Sequence, residues 1–368
     1  MCPTSPSARS SPDAKNVSPE RSSPWLSARK ILRVPARILN YVTGTEKLEG
    51  FNLLKIFSET FRARTLAEVE EHLTVGTART SPPILEIPTD WPKPWLFAGC
   101  FLLFSLAYLG FLVAYMHFNA TDLAPGLILM GAFAGPISTL VLFFELNVPR
   151  NVSMYRLILL IGLGGTAALL ISFAGYNVAR LGWLTNAGAG VIEEMGKLAA
   201  LLLLTRGWRN KYILNGMLFG AAVGAGFAAF ESAGYAFQIC LDSGGGTAMM
   251  ANLVERGVLA PLMHVTWTAM VGAALWRARG DKPLSLPAVI DRHFYGVLGL
   301  VITLHTVWNI IGDAFGILKA MALGVVAWYV TLGLVQQGLR QIRDEQRLLR
   351  SVHGCDTPDH APACGSPQ

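Results

Sequence analysis

The chain has 368 residues, of which 52% are hydrophobic and 15% are charged. Soluble domains carry about 25% charged residues, so this composition argues against a soluble globular protein. The net charge of +6 does not indicate nucleic-acid binding, because the basic residues lie between apolar segments and form no patch interleaved with aromatic residues.

The chain is polar before residue 95 and apolar after it. Residues 1–28 are rich in Ser, Pro and charge and are predicted to form a disordered tail. Residues 29–94 are predicted to be a small helical cytosolic region ending in an interfacial entry segment, Trp91–Trp95. Within that region Thr65 and Glu68 match a capping box that opens a short helix.

Apolar segments of about 20 residues recur from residue 95 to residue 338, and their length matches the hydrocarbon core of a bilayer. They predict an all-α, polytopic membrane helix bundle of about eight transmembrane helices. The segments lie near residues 95–116, 124–146, 157–176, 183–204, 212–238, 257–277, 294–314 and 317–338. Residues 339–368 are predicted to be a charged, mobile C-terminal tail.

The distribution of Lys and Arg predicts the orientation in the membrane. The flanks and short connections carry 15 basic residues on one side and 3 on the other. By the positive-inside rule the richer side is cytoplasmic. Both termini are therefore expected in the cytoplasm, which agrees with an even number of spans.

Ionisable side chains deep in a membrane are costly and mark functional sites by default. In this chain they lie in the fourth to seventh spans. They are Glu193, Glu194, Lys197, Glu231, His264 and His305. Counting about 1.5 Å per residue from the span ends places Glu193, Glu231, His264 and His305 at one level, roughly 10–15 Å below the outer surface. Glu145, Asp313 and Lys319 lie near span ends and are predicted to be structural.

The spacing predicts how these side chains share a pocket. Glu193 and Lys197 are one helical turn apart and are expected to pair, which leaves Glu194 free for chemistry. His305 and Asn309 share one helix face.

Further residues are predicted to shape that pocket. A run of small residues, Gly216, Gly220 and Gly224, should let neighbouring helices approach closely. Phe227 is expected to wall the pocket, and Arg256 is expected to steer substrate or pair with a pocket glutamate.

Two chemistries fit these residue types. Glu231, His264 and His305 are a ligand set of the kind that holds zinc, with a further glutamate as the base for water. Alternatively, a desolvated glutamate activates water without a metal, and His and Asn309 bind the oxyanion.

At these positions the sequence resembles the PrsW family of intramembrane metalloproteases. The resemblance covers roughly residues 50–340, and its motifs are Glu193-Glu194-x-x-Lys197, Phe227-x-x-x-Glu231, Arg256 with His264 eight residues later, and His305-Thr306-Val307-Trp308-Asn309. It implies endoproteolysis of a transmembrane substrate near the outer membrane face, of which cleavage of an anti-sigma factor is a known family role. It also implies zinc as cofactor and a bacterial cytoplasmic membrane as location.

The chain is also similar to the CAAX-prenyl endopeptidase and Abi group, whose motifs are E-E-x-x-x-R, F-x-x-x-H and H-x-x-x-N. Lys197 is one position short of that group's arginine, and Glu231 replaces its first histidine. A prenylated substrate is therefore not expected. The similarity keeps the glutamate mechanism without a metal open.

Two other functions are compatible with buried carboxylates and histidines. An ion or proton transporter uses such groups as a relay, although the sequence has no internal repeat. A non-catalytic scaffold would not explain the buried charges. The expected partners are a transmembrane protein substrate and the lipid bilayer.

Overall fold

The computed structural model describes residues 35–177, 185–243, 246–284, 286–311 and 315–352. The chain divides into two compact units, residues 1–39 and residues 40–368. Of the first unit, residues 35–39 are described, and they are helical. The predicted disordered tail at residues 1–28 lies outside the described residues.

Within its described residues the second unit contains helices and loops and no strand, which confirms the all-α prediction. Its helices are, in chain order, α1 (residues 40–43), α2 (Leu53–Ile56), α3 (Leu66–Leu73), α4 (Leu96–His117), α5 (Ala124–Leu146), α6 (Met154–Leu159), α7 (Gly165–Asn177), α8 (Thr185–Thr205), α9 (Ile213–Ser243), α10 (Gly246–Leu259), α11 (His264–Arg279), α12 (Leu286–Val289), α13 (Arg292–Ile311) and α14 (Gly316–Val352).

Seven helical segments of the described chain are long and apolar enough to cross a membrane. They are α4, α5, the segment from α6 through α7, α9, the segment from α10 through α11, α13 and α14. They confirm a polytopic helical membrane protein. The cytoplasmic location of both termini stays a prediction.

The remaining predicted span, near residues 183–204, is the helix α8, which is 21 residues long. It is not among the seven because it carries three ionisable side chains, Glu193, Glu194 and Lys197. All three are buried in the bundle, and Lys197 is fully inaccessible. The helix α8 is therefore a predicted span that carries three charged side chains into the interior of the bundle.

The predicted sixth span, 257–277, is not one continuous helix. The segment begins earlier, at Gly246, and is interrupted at Ala260–Leu262 before α11 starts at His264. Pro261 lies in the interruption and lacks a backbone N–H, and Met263 leaves helical geometry with φ −124 and ψ −134. The break therefore puts His264 at the first position of α11.

Glycines of α9 permit the predicted close approach of a neighbouring helix, and the structure shows that this helix is α11. A Cβ on Gly220 would lie 2.1 Å from the carbonyl oxygen of Thr268, and one on Gly224 would lie 2.7 Å from that of His264. Gly216 faces Gly272 in the same way, at 2.5 Å from its oxygen. The close approach sets His264 beside the helix that carries the Phe227–Glu231 motif.

The described part of the region before the membrane, from residue 35 onward, contains short helices separated by loops. The capping box is confirmed: the Thr65 amide donates to Glu68 Oε2 at 2.7 Å, and the Glu68 amide donates to Thr65 Oγ1 at 3.3 Å. The two bonds satisfy amides at the start of α3 that lack intrahelical partners.

Glu145 joins the entry segment to the end of α5. Its buried carboxylate accepts backbone N–H bonds from Trp95 at 2.6 Å, Leu96 at 2.7 Å and Phe97 at 3.0 Å. A negative charge is favourable at a helix N-terminus. The predicted structural role of Glu145 is therefore confirmed.

The last helix extends further than the sequence pattern suggested. The tail was expected from residue 339, but α14 continues to Val352. Leu339, Ile342 and Gln346 of α14 are buried. The C-terminal part of this helix therefore packs against other described residues and is not a solvated tail. Residues 353–368 lie outside the described part of the chain.

Candidate active site

Five helices bring the predicted site residues into one cluster. They come from α8, α9, α10, α11 and α13 and are Glu193, Glu194, Lys197, Phe227, Glu231, Arg256, His264, His305 and Asn309. Each contacts another member of the set or lines the same cavity. The expectation of a shared pocket is met, although the pairing inside it differs.

Lys197 pairs with Glu194 and not with Glu193, which corrects the predicted ion pair. Its Nζ lies 2.5 Å from Glu194 Oε1, and both side chains are almost fully inaccessible. The pair spans three residues rather than four, a spacing that a helix also allows. The Lys197 ammonium therefore compensates the charge of Glu194. Of the two adjacent glutamates on α8, Glu193 is the one without a lysine or arginine partner.

Each histidine has its Nδ1 held by this pair. His305 Nδ1 lies 2.8 Å from Glu194 Oε1, and His264 Nδ1 lies 3.0 Å from Lys197 Nζ. The rings consequently turn their Nε2 atoms toward the other two glutamates. Nε2 of His305 lies 3.6 Å from Glu193, and Nε2 of His264 lies 3.3 Å from Glu231.

The two imidazoles carry their proton on different ring nitrogens. A carboxylate only accepts, so Glu194 places the His305 proton on Nδ1 and leaves a lone pair on Nε2. An ammonium only donates, so Lys197 places the neutral His264 proton on Nε2, facing Glu231. His305 presents a free lone pair at Nε2, whereas His264 would bind a metal ion through Nε2 only after its proton moves from Nε2 to Nδ1.

Glu193 has an unsatisfied oxygen at the centre of the cluster. Its Oε1 accepts from the Tyr176 hydroxyl at 3.3 Å, while its buried Oε2 has no hydrogen-bond partner. One ligand atom each from Glu193, His264 and His305 lie within 4.8 Å of one another. A buried carboxylate oxygen without a donor, beside two imidazoles, fits a bound cation.

The charges of the cluster also suit a cation. Glu193, Glu194 and Glu231 bring three negative charges, and Lys197 and Arg256 bring two positive ones. One carboxylate therefore lacks a counter-charge in a buried site, which is unfavourable unless a proton or a metal ion compensates it. By residue type, the set Glu, His and His suits zinc.

Glu231, predicted as a metal ligand, has a counter-ion of its own. It forms an ion pair with Arg256, whose Nε donates to Ser232 Oγ at 2.7 Å. Arg256 also lies over the ring of Tyr235, 5.0 Å from its centroid. The pairing that the sequence allowed for Arg256 is thus present.

The cluster faces a cavity of about 510 Å³, large enough for a peptide segment and water. It is lined by Tyr176, Ala189, Glu193, Glu231, Tyr235, Arg256, Met263, His264, His305, Trp308 and Asn309. Carboxylates for activating water and donors for an oxyanion therefore open into one space.

Aromatic rings pack against Lys197 and the two histidines of the cluster. Lys197 Nζ lies 4.4 Å from the Phe227 ring centroid, and the Phe227 and His264 rings are 5.4 Å apart. The ring of Trp267 lies beside the rings of both His264 and His305, with centroid distances of 5.3 and 5.1 Å. This packing restricts the imidazole rotamers and keeps the site pre-organised.

Tyr176 and Tyr235 line the cavity but were not predicted from the sequence. Tyr176 lies at the end of α7 and Tyr235 in the C-terminal part of α9, near helix ends where tyrosine is common for interfacial reasons alone. No motif separates a tyrosine that turns into a cavity from one at the lipid boundary. Asn309, which was predicted, lines the cavity from α13.

Comparisons with known proteins agree with this arrangement. The model of the PrsW family intramembrane metalloproteases matches residues 122–335, which is more than half of the chain and includes every predicted site residue. No curated protein and no solved structure shows a significant match. The chain therefore belongs to the PrsW family of intramembrane metalloproteases.

Proposed function

We propose that the chain is a metallo-endopeptidase that cleaves membrane proteins, with zinc held by Glu193, His264 and His305. The observation that carries this proposal is the buried, unpartnered Glu193 Oε2 beside two imidazoles whose Nδ1 atoms are already engaged. A ligand histidine commonly donates its second ring N–H to a carboxylate, as His305 does to Glu194. When bound, zinc would polarise the scissile carbonyl and acidify water.

The proposed ligand set differs from the sequence expectation, which gave the carboxylate position to Glu231. Glu231 already has Arg256 as its counter-ion, whereas Glu193 has none. Glu231 is assigned instead as the base that takes the proton of the attacking water, held in place by Arg256. Glu194 and Lys197 act by orienting His305 and His264.

A donor on the cavity wall is available for the oxyanion of the tetrahedral intermediate. It is the amide of Asn309, which lines the cavity together with Tyr176, whose hydroxyl already donates to Glu193. A neutral donor in a site shielded from water stabilises a developing negative charge strongly. The same residues support the glutamate mechanism without a metal, in which Glu193 itself activates water.

The substrate is proposed to be cut near the outer face of the membrane, because the positive-inside count puts the cluster closer to that face. A bacterial cytoplasmic membrane and an anti-sigma factor substrate are carried over from the family resemblance.

The proteolytic function is tested by profiling new protein N-termini in cells expressing the wild type or Glu193→Gln. The expected result is a set of cleavage sites in or beside transmembrane segments that occurs with the wild type and is absent with the variant. Equal membrane levels of both proteins provide the control. Identical profiles would rule out proteolysis through Glu193.

A proton or ion transporter is the second candidate, and one observation favours it. The segment from α10 through α11 is interrupted next to His264, and broken helices occur at the binding sites of transporters. Proton flux in liposomes that is lost with Glu231→Gln, without any cleaved product in cells, would replace the protease proposal.

A further inference from the structure

A second cleft, of about 620 Å³, lies at the connection between α8 and α9. It shares no lining residue with the cavity of the candidate active site. Three of its lining residues are basic: Arg156, Arg209 and Lys211. All three belong to connections that the positive-inside count assigns to the cytoplasmic side.

The guanidinium of Arg156 is held in position at the cleft. Its Nη1 donates to Asn210 Oδ1 at 2.5 Å, and its Cζ lies 4.8 Å from the Trp208 ring centroid. Asn210 is itself fixed, because its amide donates to the Asn151 carbonyl at 3.0 Å. These contacts leave Nε and Nη2 of Arg156 available for an acceptor oxygen.

Other donors at the cleft have no acceptor. Neither the exposed Arg209 side chain nor the backbone N–H groups of Arg209, Asn210 and Lys211 have a hydrogen-bond partner among the described residues. Successive free amides and a forked guanidinium are the donor types that bind phosphate oxygens.

The remaining charges do not cancel this positive character. Lys211 pairs with Glu345 on α14, which accounts for one basic and one acidic side chain. Arg156 and Arg209 are in no ion pair within the described chain. The 31-residue helix α9 begins at Ile213, beside the cleft, and its N-terminus adds a partial positive charge.

Several apolar side chains that lie a few residues from the cleft along the chain are largely exposed. Tyr155 and Ile158 on α6 are 73% and 63% exposed, and Leu203 on α8 is 67% exposed. The helix α6 opens one of the seven segments able to cross a membrane, so its exposed apolar side chains are expected to meet lipid tails rather than water. A ligand with a phosphate group and apolar chains matches both surfaces.

We propose that this cleft binds the phosphate group of an anionic phospholipid, whose acyl chains lie along the exposed apolar side chains of α6 and α8. A basic pocket at the end of membrane helices is a recognised way of holding such a headgroup. A soluble phosphate offers the same oxygens but no apolar chain, and the two sources give different results below.

The test measures ligand binding to the delipidated full-length protein in detergent by native mass spectrometry. The probes are phosphatidylglycerol, phosphatidylcholine and inorganic phosphate. The variant is Arg209→Gln, and the matched control is Arg206→Gln, which removes the same charge from the same connection at an exposed position outside the cleft.

Phosphatidylglycerol is expected to bind more tightly than phosphatidylcholine, and Arg209→Gln should weaken it about tenfold, as for one lost charge-assisted hydrogen bond. Arg206→Gln should change it less than twofold. Equal losses with the two variants, or equal affinity for the two lipids, would overturn the site. Arg209-dependent binding of inorganic phosphate, without binding of phosphatidylglycerol, would overturn the lipid as its source.

Discussion

Glu194 Oε1 lies 2.8 Å from Nδ1 of His305 and 2.5 Å from the ammonium of Lys197. One carboxylate thus compensates a buried cation and sets the tautomer of an imidazole. Glu193, the next residue, has an oxygen with no partner. Two adjacent glutamates on one helix therefore have different roles, the first facing the cavity and the second supporting it.

Replacing each glutamate by glutamine should separate these roles. Glu194→Gln leaves Lys197 buried without a counter-charge and is expected to cost about 3–5 kcal/mol of stability, together with activity. Glu193→Gln removes no ion pair and should leave the unfolding midpoint close to the wild type while abolishing activity. Thermal unfolding in detergent measures both. Equal destabilisation by the two variants would contradict the division of roles.

A double-mutant cycle tests which glutamate Lys197 binds. Lys197→Met should destabilise the protein because it leaves Glu194 buried and unpaired. Combining it with Glu194→Gln should recover about 1–3 kcal/mol, whereas combining it with Glu193→Gln should recover none. The measurement is the unfolding free energy of the three single and two double variants. Recovery with Glu193→Gln alone would support the pairing first expected from the sequence.

The glycines of α9 provide a test of the helix packing that positions His264. Gly220→Ala would bring a Cβ within 2.1 Å of the Thr268 carbonyl and should cost about 1–3 kcal/mol of stability with reduced activity. Gly234 lies in the same helix with nothing within 4 Å, so Gly234→Ala should be neutral or stabilising by up to about 1 kcal/mol. Unfolding midpoints of the two variants give the comparison. Similar midpoints would mean that α9 and α11 are not closely packed.

Stability is expected to fall in mild acid because of His72. Burial, with Arg150 and Arg64 nearby, lowers the pKa of His72 to about 4, and the Arg150 guanidinium lies 2.9 Å from its Nδ1. The unfolded chain takes up this proton near its ordinary pKa of 6.5, so stability is retained above pH 6.5 and lost between about pH 6.5 and 4. The facing carboxylate of Glu145, 4.0 Å away, is occupied by backbone amides.

The measurement for His72 is the unfolding midpoint of His72→Gln and the wild type between pH 7 and 4. The variant should show a shallower loss of stability with falling pH. His117→Gln, at the exposed end of α4, is the matched control for the loss of a histidine. An unchanged slope with His72→Gln would assign the acid sensitivity to other groups.

The sequence predicted much of the fold because membrane helices follow from segment length and polarity. It placed α8 among the spans despite its three charges, and it identified the glycines that pack α9 on α11. The break before His264 was missed, since Pro261 inside an apolar run is compatible with a continuous membrane helix. The continuation of α14 to Val352 was missed because the burial of Leu339 and Ile342 depends on tertiary contacts.

For the site, residue types, depth and helical spacing together were enough to select nine residues that the fold brings together. Their pairing could not be deduced, because Glu193 and Glu194 both lie within reach of Lys197 on an isolated helix. The choice depends on where His264 and His305 arrive from α11 and α13. The tyrosines were missed because their hydroxyls gain a role only once the cavity exists.

The most direct test of the proposed metal centre is the zinc content of the full chain purified in detergent. The wild type is compared with Glu193→Gln and Glu231→Gln. These two variants make the same change at two different carboxylates of one cavity. The account predicts about one zinc per wild-type chain, loss with Glu193→Gln and retention with Glu231→Gln. Retention with Glu193→Gln and loss with Glu231→Gln, or a wild type without metal, would contradict it.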